Sequence, residues 1–365
     1  MSDIMEYKCP FCGGAMEFDS KSQKMKCPFC DSEMSIEEFQ QMQQGKQEEP
    51  KSTEDGGKWE AMGDGKWQEG ETDGMRVYAC ESCGGEIVAD ETTGATTCPF
   101  CGNRVVMKGQ FSGDLKPDYI IPFKLDKKDA KAAYQKHLEG KPFLPKVFKS
   151  ENHIDEIKGV YVPFWLFDID AEADIRYDAE RVEVWETGDT EYTQHEYFQA
   201  QRAGGISFKH VPADGSEKMD DTMMESIEPY EFEDAVPFQP AYLAGYVADR
   251  YDVDMEKRMV RAKERVKQSA ETAFANTVNG YTTVTQVDSK VNIFNAQYWY
   301  ALYPVWMLNT TWKGEKFTFA MNGQTGKMVG DLPADKGAFW KYVVSRGVIF
   351  GAIIYGLLWL RLLLF

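Results

Sequence analysis

The eight cysteines of this 365-residue chain all fall in CxxC pairs, and the pairs themselves come in twos. Cys9/Cys12 and Cys27/Cys30 are separated by fourteen residues, and Cys80/Cys83 and Cys98/Cys101 repeat the same separation. Four thiolates so spaced form two facing knuckles around one tetrahedral ion, so the chain is expected to carry two Zn2+ ions in tandem zinc ribbons. The glycine pairs Gly13/Gly14 and Gly84/Gly85 stand where each first knuckle needs backbone turns open to glycine. All four ligand positions are protein sulfurs, leaving no open position for water or substrate, so the metals are read as structural. A ribbon this short buries too little apolar surface to fold alone, and metal binding supplies its folding energy, of order 10 kcal/mol per site. Two other chemistries share this donor set: thiol redox by a single CxxC, which needs no matched second pair, and rubredoxin-like iron. Cysteines with none left over fit a reducing cytoplasm better than a secreted disulfide framework, and MSDIMEYK before Cys9 has no apolar run of a secretory signal.

Charge narrows what the ribbons can touch. The formal net charge is −18 with a sequence pI near 4.8, and two zinc tetrathiolates at −2 each take it to about −22. Such a chain repels polyanions unless a local basic patch intervenes, so nucleic acid is disfavoured as a partner. In the second ribbon Arg76 and Arg104 stand among Glu81, Glu86, Asp90 and Glu91, while the first carries Lys8, Lys21, Lys24 and Lys26 and is the better nucleic-acid candidate. The densest basic run, Lys257 to Lys267, is read as a solvated helix face.

The C-terminus is of a different kind. From Gly347 to Leu360 there is no charge, and counting out to Phe365 the run approaches the ~20 apolar residues that cross a bilayer. A transmembrane helix is expected over 338–365, with Arg361 snorkelling at the far side and Trp340, Tyr342 and Trp359 at the two interfaces. Lys336, Lys341 and Arg346 flank the near side, so the positive-inside rule makes this a single-pass cell-membrane protein with its N-terminal bulk cytoplasmic. Gly347 and Gly351 form GxxxG, with Gly356 beyond, a spacing that admits helix–helix association in the membrane.

The fold expected is α+β, with a first ribbon over 1–39, a flexible linker over 40–75, a second ribbon over 76–108, a mixed α/β domain over 109–332, and the helix. The linker is polar and Gly-rich, yet carries Trp59 and Trp67, which either dock back on the protein or serve as recognition anchors. Within the α/β region, segments starting at Tyr119 and Val236 each read as a short strand followed by an amphipathic helix. Each leads to an aromatic, proline-containing strand, from Gly159 and from Tyr300, so two strand–helix–strand–hairpin halves echo one another. Pro163 and Pro304 place those segments at strand starts, edges or bulges. Lys313–Gly314 and the NGQTGK stretch at 322–327 mark hairpins.

Catalytic signals are weak, and the chain is read as a non-enzyme. His137, His153, His195 and His210 are scattered without metal-ligand spacing and read as surface or packing residues. The stretch ending in GQTGKM resembles a P-loop, but Met321 and Met328 occupy the first Gly and the Ser/Thr positions, so a β-turn is expected. The acid-rich segment Asp168 to Glu180 alternates acids with apolar residues, the pattern of a half-exposed strand rather than a cation site.

The CPFCG knuckles, the IIPFKLDKKDAKAAY and YVPFWLFD blocks, YPVWMLNT and the terminal apolar helix together resemble bacterial, Firmicutes-type membrane-anchored proteins with TFIIB-type zinc ribbons. The resemblance spans most of the chain; the NGQTGK hairpin is also similar to PepSY-type modules. Members are often labelled replication-restart helicases, but no helicase motor is present here. The resemblance implies a membrane-stress scaffold, with phage-shock PspA-like, SPFH/flotillin-like or TPM-domain proteins as partners. The expected function is therefore a membrane-anchored adaptor whose linked ribbons, on about 35 residues of linker with a reach of about 30 Å, hold protein partners. The rival is a membrane-tethered contact to nucleic acid or RNA polymerase through the first ribbon.

Overall fold

The computed structural model of the chain describes residues 9–12, 14–43, 60–68, 70–72, 74–90, 97–111, 115–150 and 154–364. Trp59 and His153, singled out above, lie outside these residues, as do Lys8, Gly13 and Glu91.

The first ribbon is a small antiparallel sheet of β1 (Glu17–Asp19), β2 (Lys24–Lys26) and β3 (Glu33–Met34) in that order, followed by helix α1 (Ile36–Gln43). A reciprocal capping box starts α1: Glu38 N donates to Ser35 Oγ at 3.1 Å and Ser35 N to Glu38 Oε2 at 2.9 Å. After β4 (Glu60–Ala61), the second ribbon supplies β5 (Met75–Ala79), β6 (Glu86–Asp90) and β7 (Val106–Gln110). Next come β8 (Tyr119–Ile120), α2 (Lys127–His137), β9 (Lys158–Thr187), β10 (Thr190–Asp214) and α3 (Asp221–Ser226). The remainder is β11 (Val236–Pro237), β12 (Val247–Asp249), α4 (Met255–Ala275), β13 (Thr283–Trp312), β14 (Glu315–Asn322), β15 (Met328–Gly330) and α5 (Lys336–Leu364).

Two strands of 30 residues each organise everything else: β9 and β13 pair antiparallel from Lys158/Met307 to Glu180/Thr283. At their inner ends the side chains are buried on both faces, with Phe164, Trp165, Leu166 and Phe167 in β9 against Tyr300 to Leu308 in β13. Farther out only one face is covered. Odd-numbered residues of β9, Ile169 through Ala179, are buried, while Glu172, Asp174, Arg176 and Asp178 are exposed, which is the half-exposed strand expected. Helix α4 does the covering, through a stripe of Ala262, Val266 and Ala270 at four-residue spacing. β10 returns along β9 to complete a three-stranded arm, a partner strand that sequence reasoning did not anticipate.

Pro163 and Pro304 correct another expectation, since both sit inside long, central strands. The tolerated positions have a common cause. On its flank away from β13, β9 pairs with β12 as far as Tyr161 and with β10 from Phe164 onward, so Pro163 falls at the changeover. On its flank away from β9, β13 pairs with β8 at Ala301–Leu302 and with β14 from Val305, and Pro304 falls in that gap. Each proline thus lacks an N–H only where no ladder partner waits for it, while its carbonyl accepts from Gly215 N at 2.7 Å or Gly323 N at 2.8 Å.

Along the chain β8, α2, β9 and β10 come first, then α3 and β11, then β12, α4, β13 and β14. The first and last groups interlock, because β8 pairs parallel with β13 and β12 parallel with β9. The stretch 322–327 is a turn: Asn322 Oδ1 accepts from Gln324 N and Thr325 N at 2.9 Å, and Gly326 has φ +81°.

The linker needs a narrower boundary than 40–75. Its distal part is docked: β4 pairs with β13 at Gln297–Tyr298, and Trp67 packs edge-on against Phe111 and Phe238 at 5.3 and 5.8 Å. Trp67 is therefore a self-docking residue, and burial of its ring explains why a polar segment carries it.

Candidate metal centres

Each set of four cysteines converges. Their sulfurs lie within 4.8 Å of one another in both ribbons, and all eight are free thiols. The closest contacts are Cys9–Cys30 and Cys12–Cys27 at 3.5 Å in the first site, Cys80–Cys101 at 3.4 Å and Cys83–Cys98 at 3.6 Å in the second. A tetrahedron with Zn–S bonds near 2.3 Å places its sulfurs about 3.8 Å apart, so both groups fit one zinc each; the same donor set also fits iron.

The knuckles hold this geometry with backbone hydrogen bonds. Cys9 N donates to Gly14 O at 2.7 Å, Cys27 N to Ser32 O at 2.9 Å, Cys80 N to Gly85 O at 2.9 Å and Cys98 N to Asn103 O at 2.7 Å. Asp31 takes a left-handed conformation, φ +54°, where the second ribbon has Gly102 at +77°. Gly14 and Gly85 are required by a close approach: an added Cβ would sit 2.5 Å from the Phe29 ring and 2.9 Å from the Phe100 ring. In the first site the Ser32 hydroxyl and backbone N–H pull the Cys30 thiol down to about 6, and in the second burial pushes Cys98 up. Four sulfurs this close cannot all ionise against one another, and a dication removes the conflict.

The two ribbons differ in their surroundings. β6 of the second pairs with β12 at Val88 and Ile87, so β5, β6 and β7 continue the main sheet. Its CPFC knuckle is clamped: Asn309 Nδ2 donates to Pro99 O, Lys316 Nζ to Phe100 O, and Lys158 Nζ to Thr97 O at 2.7 Å. Phe100 is 3% exposed. The first ribbon docks through its opposite end, where Phe18 N donates to Ala244 O at 3.1 Å, Gln23 Nε2 to Phe123 O at 2.7 Å, and Phe18 packs on Tyr242. Its knuckles face outward, leaving Phe11 72% and Phe29 74% exposed.

This geometry also settles where the other candidates stand. Lys21 is tied to Asp126 at 2.8 Å and Lys26 to Glu33 at 3.4 Å, so two of the first ribbon's cations are already neutralised. The basic run on α4 is split: Lys257 and Lys267 lie on the exposed face expected, while Arg258 pairs with Asp214 and Asp221, Arg261 with Glu225, and Arg265 with Glu228. His137 bonds Gly330 O, His195 bonds Glu180, and His210 stacks on Phe232 at 3.6 Å, so the three are far apart in function and space. Phe11 and Phe29 carried no weight in the sequence, where a phenylalanine inside CPFC reads as knuckle packing.

The uncharacterized protein YdjG of Bacillus subtilis (strain 168) is 34% identical to this chain over 321 residues, covering 74% of this chain and 94% of that protein. The chain belongs to the same family as YdjG. No protein-family profile and no solved structure matches it. Family membership thus accompanies two four-cysteine centres and a C-terminal helix, of which Lys336–Leu357 is long and apolar enough to cross a membrane and is wholly unburied.

Proposed function

We propose that the protein is a non-enzymatic, membrane-anchored adaptor that binds a protein partner through the free knuckles of its first zinc ribbon. One observation carries this reading: the CPFC knuckle occurs three times, and in the second ribbon Phe100 and the adjoining carbonyls are consumed by the sheet, whereas Phe11 and Phe29, one in each knuckle of the first ribbon, are presented to solvent. Two exposed phenylalanines, one on each of the two knuckles that a metal would staple together, are rigid anchors of the kind that dominate interfaces. The helix Lys336–Leu357 supplies the anchor, and Lys336, Lys341 and Arg346 orient the bulk of the chain to the cytoplasm. We read the two interlocked strand–helix–hairpin halves as an internal duplication that built the scaffold between ribbon and membrane. Membrane-stress proteins are the partner class that the family resemblance implies. Neutralisation of Lys21 and Lys26 weighs against the nucleic-acid alternative.

The test is photocrosslinking in cells from a benzoylphenylalanine at position 29, with position 100 as the internal control. A discrete protein adduct from position 29, retained at high salt and lost in Cys27→Ser/Cys30→Ser, is expected. Adducts to nucleic acid or RNA polymerase would replace this reading with the rival.

A further inference from the structure

In a chain of net charge −18, the root of the C-terminal helix is surrounded by cations. Lys136, Lys141, Lys146 and Lys149 come from the end of α2 and the segment after it, and Lys336, Lys341 and Arg346 from the start of α5. The same two stretches, 136–149 and 331–346, contain only Glu139, Asp331 and Asp335 as acids. Asp335 is occupied in capping α5, accepting from Gly337 N at 2.9 Å and Ala338 N at 3.3 Å.

These cations are held together by packing. Phe143 meets Phe339 and Tyr342 edge-on at 5.3 and 5.4 Å, and Asp335 N donates to Phe143 O at 2.8 Å. At 1.5 Å of rise per residue, Phe339 and Tyr342 lie about 6–10 Å before Arg346, the last charge ahead of the uncharged run. The lysines flanking Phe143 therefore lie within about one Debye length of the headgroup plane that Arg346 marks. Elsewhere lysines are spent on carboxylates, as Lys108 on Glu86, Lys116 on Glu71 and Lys131 on Asp155. Among the described residues, no ion pair to a carboxylate involves the seven cations at the helix root. Between α2 and the following segment runs an open groove of about 660 Å³ lined by Leu138, Pro142 and Ile154 together with Lys141, Lys149 and Glu139, with Lys141 Nζ also donating to His137 O at 2.6 Å.

We propose that this groove and its lysines bind the phosphate headgroup of an anionic phospholipid in the leaflet from which α5 emerges. The proposal rests on reading α5 as membrane-spanning. Apolar lining residues beside lysines suit an amphiphile whose acyl chains lie along the helix, and each lysine near an anionic surface contributes about fivefold to binding. The net negative charge of the rest of the chain keeps the remaining surface off that leaflet.

The full chain is reconstituted in nanodiscs of phosphatidylcholine and phosphatidylglycerol, and the lipids retained after mild detergent extraction are weighed by mass spectrometry. Phosphatidylglycerol is expected to be enriched several-fold, to fall towards its bulk share in Lys146→Gln/Lys149→Gln and in Lys141→Gln, and to be unmoved by millimolar inorganic phosphate. Equal retention of both lipids by a chain that alkaline carbonate fails to strip from cell membranes would overturn the lipid site and leave the anchor standing. Release by carbonate would overturn both. Displacement of phosphatidylglycerol by inorganic phosphate would reduce the site to one for soluble anions.

Discussion

Phe29 and Phe100 occupy the same place in the same motif, and their difference is measurable in stability. Phe100 is buried in the sheet, so Phe100→Ala is expected to cost about 3–5 kcal/mol, whereas Phe29→Ala, on an exposed ring, stays within about 0.5 kcal/mol. Chemical denaturation of the two variants checks this, and equal losses would mean that Phe29 also packs internally. Asp249 makes a second residue-level case. It is 4% exposed, its Oδ2 has no hydrogen-bond partner, and burial pushes its carboxyl up to about 8. An unfolded aspartate titrates near 3.9, so between about pH 4 and 8 the native state holds a proton that the unfolded state has released, and stability falls as pH rises through that window. Asp249→Asn removes the linkage. Its melting temperature should exceed the parent's by a margin that grows from about pH 5.5 to pH 8 and then levels off; a constant margin would place the titration elsewhere.

At the scale of elements, the convergence of the two cysteine sets was legible in the sequence because thiolate chemistry is local: eight cysteines at fixed spacing leave little choice of ligand set. The strand–helix order of the α/β region was legible for a related reason, since Tyr119 to Leu138 and Val236 to Phe274 carry their periodicity within one segment. β10 was not. Its covered face reads Phe198, Ala200, Arg202, Gly204, Ile206, Phe208, and the arginine and glycine break the apolar alternation that marks a strand. Nor could the docking of the second ribbon be read, because the partners of its knuckle, Asn309 and Lys316, lie 210 and 216 residues along the chain. That docking separates the two metals energetically. Cys80→Ser/Cys83→Ser should remove hydrogen-exchange protection from β12 as well as from its own ribbon, while Cys9→Ser/Cys12→Ser should expose only β1 to β3. Uniform loss from either variant would mean that both ribbons belong to one cooperative unit.

At the scale of the whole molecule, the long strands set a distance. The helix root sits near Phe319, opposite Leu308 of β13, while the turn between β9 and β10 lies at the other end of the same strands. From Leu308 back to Thr283, and on from Glu180 to Thr187, the contour is about 100 Å at 3.3 Å per residue. The last part of this arm is two strands only, with Trp185 and Tyr192 stacked at 5.6 Å and both exposed, 45% and 46%. Below this tip Arg181 lies over the Phe198 and Tyr281 rings at 5.2 and 5.8 Å. A strand pair edged by Glu183, Glu186, Asp189 and Glu191 is kept by charge from pairing with its own kind. On the proposed reading of α5 as membrane-spanning, charge on the arm opposes its folding back towards an anionic leaflet, and the root lysines favour that leaflet. Fluorophores at Asp189→Cys and Ala334→Cys, with the zinc-bound thiols protected, should therefore show almost no energy transfer in anionic nanodiscs. Strong transfer, placing the tip within about 50 Å of the helix root, would mean that the arm bends over the domain towards the helix.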